Sequence, residues 1–137
     1  MTDMPGLIHH LDHFVLTTND AVRCVDFYTR VLGMTPEHFG NDRIALKFGD
    51  QKINIHEPGR LFLPRADVPT PGSLDLCFIS EIPLDDVILH LKKAGATIEE
   101  GPVGRTGATY LLRSIYLRDP DGNLIEISER TEEKAED

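Results

Sequence analysis

The chain has 137 residues, a length that as a prior means one domain able to bury a core without disulfide or metal staples. Hydrophobic residues make up 40% and charged residues 27%, the balance of an ordinary soluble globular protein. The net charge is -9 with no basic stripe, which argues against duplex nucleic acid and anionic membrane as partners, and no apolar run is long enough to span a bilayer.

Residues 1–5 lack the basic-then-apolar pattern of a signal peptide. From Leu7 to Thr17 the chain reads as a strand, with Leu11, Phe14, Val15 and Leu16 supplying apolar positions. Asn19 or Asp20 offers a helix cap. Ala21, Val22, Val25, Phe27, Tyr28, Val31 and Leu32 then recur at helical spacing, and Gly33 fits the stop. Three strands are predicted next, at Met34–Phe39, Ile44–Phe48 and Lys52–Glu57, with Gly49-Asp50 as the turn between the last two. Residues 58–72 contain four prolines and two glycines and read as a linker.

The pattern then restarts. Leu74–Ile79 is a predicted strand, and Pro83 opens a helix as its first residue. Asp85 and Asp86 suit the positive end of that helix, Lys92 and Lys93 the negative end, and Gly95 the stop. A strand near Thr97–Glu100, a glycine-rich stretch through Gly107, a strand at Leu111–Leu117, the turn Asp119–Gly122 and a strand at Asn123–Ser128 complete the order. The last nine residues hold five acids and two bases, and 130–137 reads as a disordered, solvated tail. Cys24 and Cys77 lie in apolar-periodic segments and read as buried, reduced thiols of a cytosolic protein.

The order strand, helix, three strands occurs twice, and two short stretches match between the halves: Leu11–Val15 with Leu74–Phe78, and Ile53–Glu57 with Ile125–Glu129. The expected fold is α+β: two paired βαβββ modules, about 8–57 and 73–129 in a single domain, forming a curved mixed sheet with helices behind it and a polar concave cup. Alternation puts Ile53 and Ile55 toward the core and turns Asn54 and His56 the other way. Glu126, between two isoleucines of the last strand, is either solvent-facing or a ligand. Asp75 opens an otherwise apolar strand and is either a strand-end residue or a ligand. The direction of His13 is not fixed by alternation. If the modules pair symmetrically, two imidazoles and two carboxylates converge, a donor set suited to divalent iron, manganese, nickel or zinc.

These segments resemble the vicinal oxygen chelate superfamily of glyoxalase I, bleomycin resistance proteins and extradiol dioxygenases. Leu11–Leu16 is similar to its first-strand motif, Phe27–Gly33 to its FYxxxLG helix end, and Asp119–Glu126 to its closing DPDGNxxE motif. The stretches 48–57, 71–79 and 100–107 resemble most the glyoxalase domain-containing protein 5 group and its bacterial relatives. The resemblance implies metal ligation by His13 and Glu126, with His56 and Asp75 as replacements for the remaining ligands and Glu126 also the proton-moving carboxylate. Asn54 matches a glutamate or glutamine of glyoxalase I and is the neutral, weaker donor. Asn54, Arg113 and Arg118 are candidate substrate contacts, and Arg105 lies in a segment that could cover the cup. The implied activity is that of a metal-dependent lyase, isomerase or dioxygenase on a small oxygen-rich metabolite, in a homodimer. The alternative is a metal-free small-molecule binding protein of resistance or sequestration type.

Overall fold

The computed structural model of the chain describes residues 6–60 and 62–136. The reading of residues 1–5 and the last residue of the acidic tail lie outside the described residues.

Each module folds as a βαβββ unit with its own four-stranded mixed sheet. The first contains β1 (His13–Thr17), α1 (Ala21–Asp26) running into a π-helical turn (Phe27–Val31), β2 (Thr35–Phe39), β3 (Arg43–Phe48) and β4 (Gln51–His56). The second contains β5 (Asp75–Ile79), α2 (Leu84–Lys93), β6 (Glu100–Thr106), β7 (Tyr110–Arg118) and β8 (Leu124–Lys134). The strand orders are β1-β4-β3-β2 and β5-β8-β7-β6, with β1 parallel to β4 and β5 parallel to β8. The internal repeat is thus a repeat of topology. The fold is α+β, as expected, but its strands form two sheets rather than one continuous sheet, and β1 and β5 each keep one edge unpaired among the described residues.

Four boundaries differ from the sequence reading. β1 starts at His13, not Leu7, because its partner β4 offers its first ladder residue at Lys52; Leu7, Ile8 and Leu11 form an exposed arm. Pro83 caps α2 from outside, and the cap's missing side-chain bond is supplied by Glu129, whose carboxylate accepts from the Leu84 N–H at 3.1 Å. The glycine-rich segment is an edge strand, β6, since main-chain pairing with β7 needs no side chain. The tail read as disordered continues β8 to Lys134, paired with Tyr110, because β7 is long enough to offer it partners and its charged side chains suit an exposed ribbon.

Both helices and the apolar backs of both sheets share one core. Leu16, Leu46, Ile53 and Ile55 contribute from the first sheet, Ile115, Leu117, Ile125 and Ile127 from the second. Helix α2 inserts Leu84, Val87 and Leu91, the spacing of a single helical face. Phe48 and Phe78 meet edge-to-face at 5.2 Å across the module boundary.

A buried polar lock fixes the modules to each other. The Tyr28 hydroxyl donates to Asp119 Oδ2 at 2.7 Å, and Asn123 donates to the same oxygen at 2.7 Å. Asn123 Oδ1 accepts from the Leu74 N–H, and Thr18 donates to Asp121 at 2.6 Å. Gly72 is required beside this turn: its φ is +79°, and a Cβ there would stand 2.6 Å from the Asp121 carbonyl oxygen. Cys24 sits in the same core, where burial, and then Asp119, push its thiol up to about 12.

Candidate functional site

The polar faces of the two sheets carry the chemistry, and the ladders decide who shares each face. In the first sheet His13, Val15 and Thr17 of β1 lie beside Lys52, Asn54 and His56 of β4. Pairing between β3 and β4 adds Ala45 and Lys47, and alternation adds Arg43. In the second sheet Cys77 pairs with Glu126, so Asp75 and Glu126 share a face, together with Ser128 and, from β7, Ser114 and Tyr116.

The five candidate ligands therefore separate into two half-sets. His13, Asn54 and His56 belong to the first face; Asp75 and Glu126 belong to the second. Among the described residues no three His, Cys, Asp or Glu side chains gather as a metal site would need. The two sheets share one core through their apolar backs.

The second face is internally satisfied. Ser128, with 0% exposure, donates to Glu126 Oε2 at 3.2 Å. With that proton committed, Ser114 is the donor in the 2.6 Å contact between the two serine hydroxyls. The Cys77 thiol lies 3.3 Å from the same Ser128 oxygen. Tyr116 stands opposite Glu126 and accepts from Arg105 Nε at 2.8 Å. Burial pushes the Tyr116 hydroxyl above its ordinary range and the Glu126 carboxylate adds to this, against the lowering effect of Arg105. A hydroxyl kept protonated beside a carboxylate is a donor to it.

The first face is not satisfied. Asn54, 5% exposed, has a buried Oδ1 with no partner, and His56 has a buried Nε2 with none. Burial, then Arg43, holds the His56 imidazole below its ordinary range, so it is neutral near pH 7. His13 Nδ1 donates to Asp12 Oδ2, 2.7 Å away. A cavity of about 170 Å³ opens next to His56, with Thr17, Arg60, Arg65 and Leu74 in its wall.

Of the candidate substrate contacts, Asn54 lies on the polar face and Arg113 does not. Arg113 has the parity of Ile115, on the helix side, and is held by Asp85 at 3.1 Å and Glu129 at 3.3 Å. Arg118 has the parity of Tyr116, but Glu99 and the Gly122 carbonyl occupy its guanidinium. Arg105 points to the polar face, where the sequence reading had placed it only in a covering segment. The serines around Glu126 were missed, although parity in β7 and β8 marks them. Cys77, read as buried, is exposed at the open edge strand.

A family model described as the Glyoxalase/Bleomycin resistance protein/Dioxygenase superfamily matches residues 10–127. The chain is 53% identical over 123 residues to the virulence protein STM3117 of Salmonella typhimurium, covering 90% of this chain and 85% of that one. The integron cassette protein VCH_CASS1 from the mobile metagenome of V. cholerae superposes with a TM-score of 0.90 at 51% identity, over 93% of this chain and 100% of that chain. The fold alone is shared with TnmS3, an antibiotic binding protein from Streptomyces, at a TM-score of 0.70 and 20% identity over 93% of this chain and 100% of that one. With its repeated βαβββ topology and a family match over most of its length, the chain belongs to the glyoxalase/bleomycin resistance/dioxygenase superfamily.

Proposed function

We propose that the chain forms half of a glyoxalase-like enzyme site: a metal-dependent lyase, isomerase or dioxygenase acting on a small oxygen-rich metabolite. On this reading the first polar face of one copy meets the second polar face of another. The observation that carries it is the division of complementary donors between two faces of one chain, one of which keeps buried polar atoms without partners. A homodimer would also cover the exposed Val15 and Ile79 on the open edge strands. Both thiols are free, which supports a reducing compartment such as the cytoplasm.

By type, the donors His13, His56, Asp75 and Glu126 fit divalent iron, manganese, nickel or zinc, with the neutral Asn54 as a weaker donor. Such an ion would polarise an oxygen of the metabolite. The rest falls to the chain. Ser128, fixed by Ser114, orients the Glu126 carboxylate to hold or move a proton.

Sedimentation and elemental analysis test this with His13→Ala and Glu126→Ala chains. The parent is expected to be a dimer with stoichiometric metal, and each variant to lose metal. Variants co-refolded in equal amounts regain about a quarter, because random pairing makes half of the dimers mixed and one of the two sites in each mixed dimer is complete. Full metal in the Glu126→Ala chain would sink the proposal.

A second reading is a metal-free small-molecule binding protein. It is favoured by the neutral side chain of Asn54 at a ligand position and by the shared fold of the antibiotic binding protein. A ligand whose stabilising effect survives chelator treatment would select it.

A further inference from the structure

On the first polar face Lys47 pairs with Glu37 at 3.5 Å, but other cations there rest on rings instead of carboxylates. The protein carries -9 overall, and in the second module Arg105, Arg113 and Arg118 each pair with a carboxylate. Arg43, Lys52 and Arg60 pair with none among the described residues. They are nonetheless held in place. The Arg43 guanidinium lies 4.8 Å from the Phe39 ring centre and 4.9 Å from that of Phe62. Lys52 Nζ is 4.0 Å from the centre of the same Phe39 ring, and Arg60 is 5.6 Å from Phe62.

Ring faces stabilise a cation but leave its N–H donors open. Arg43 and Lys52 are half-buried on a single ring, and neither makes an ion pair among the described residues. Two cations on one ring repel each other, and the Asp12 carboxylate, within electrostatic reach of Lys52, makes no ion pair with it. Phe62 also covers His56 at 4.9 Å, so this cationic stack borders the imidazole whose Nε2 is orphaned. On the same face, two residues along β4, the orphaned Asn54 Oδ1 requires a donor. A bare anion answers the cations but not the amide oxygen. A carboxylate carrying a hydroxyl answers both.

We propose that the first polar face is a recognition site for a small hydroxycarboxylate. Arg43, Lys52 and Arg60 hold the carboxylate, Phe39 and Phe62 position the cations, and Asn54 accepts from the hydroxyl. This deepens the enzyme reading by naming its substrate class. It rests on the cup being a small-molecule site, not on the metal.

The test uses the full chain, treated with chelator, in thermal-shift and calorimetric titrations with L-malate, succinate and mandelate. Malate or mandelate is expected to raise Tm and to bind at least ten-fold more weakly to Arg43→Gln and to Arg60→Gln. Arg60 lies on the exposed linker, so its variant keeps the fold even if Arg43→Gln disturbs it. Malate should bind at least five-fold more tightly than succinate in the parent, and equally to it in Asn54→Val. Lys93→Gln, on the far end of α2, should change nothing. Three results would overturn the proposal. One is no stabilisation by any of the acids, as expected if carboxylates of a second copy already hold these cations. Another is binding that is unaffected in both arginine variants. The third is equal affinity for malate and succinate in the parent. If malate binds while the protein takes up no metal after reconstitution, this inference stands and the metal-dependent reading falls.

Discussion

The two polar faces come from the same topology yet are in opposite states. On the second, Glu126, Ser128, Ser114, Tyr116 and Arg105 answer one another's hydrogen-bonding needs. On the first, Asn54 and His56 keep buried atoms unpartnered while Arg43 and Lys52 rest on aromatic rings. A folded chain leaves few buried polar groups without partners, since each costs about 1–3 kcal/mol. The contrast therefore separates a face whose buried groups are paired within the chain from a face whose buried groups await a partner.

The harshest way to break this contrast is to cut the lock that sets the two sheets relative to each other. Asp119→Ala should cost about 3 kcal/mol or more in urea unfolding, because it strands the Tyr28 hydroxyl and the Asn123 amide together. Ser128→Val should cost about 2 kcal/mol, since Ser114 and Glu126 both lose their partner. Asn54→Leu should act in the opposite sense and stabilise by about 1 kcal/mol, because it removes an orphan rather than making one. A destabilised Asn54→Leu chain of native compactness would show that the first face is as complete as the second.

The smallest effect is a pH slope in the metal-free chain. The folded state holds His56 below its ordinary range, so the unfolded state takes up the proton first as pH falls. Its effect on stability is absent above the unfolded value of about 6.5 and becomes a growing loss as pH drops from there toward the folded value. His56→Gln should flatten the dependence of the urea midpoint between pH 7 and 5. An unchanged slope would mean that the imidazole is freely solvated.

The βαβββ repeat was legible because it is written in periodicity: apolar spacing of 3.6 in the helices and 2 in the strands, with glycine and proline at the breaks. The parities of Asn54, His56 and Glu126 followed from the same rule. What was not legible depended on partners. The start of β1 is set by where β4 begins, and the extent of β8 by the length of β7. Arg113 faces the helices because Asp85 and Glu129 are there to receive it. Convergence of the ligands is an inference from symmetry, and the two sheets share one core through their apolar backs. The aromatic stack around Arg43 brings together β2, β3 and the linker, which no local pattern encodes.

The Asp119–Asn123 turn spends its side chains on joining Tyr28 and Thr18 across the module boundary and on holding Leu74 within the second module, leaving none of them on either polar face. Two of the motifs by which such a chain is identified, the one around Tyr28 and the one beginning at Asp119, thus record how the halves are fastened. A search keyed to them gathers proteins by construction rather than by reaction. Residues 43, 52, 54, 56 and 60, which those motifs do not contain, are where relatives of the same architecture are free to differ in what they hold.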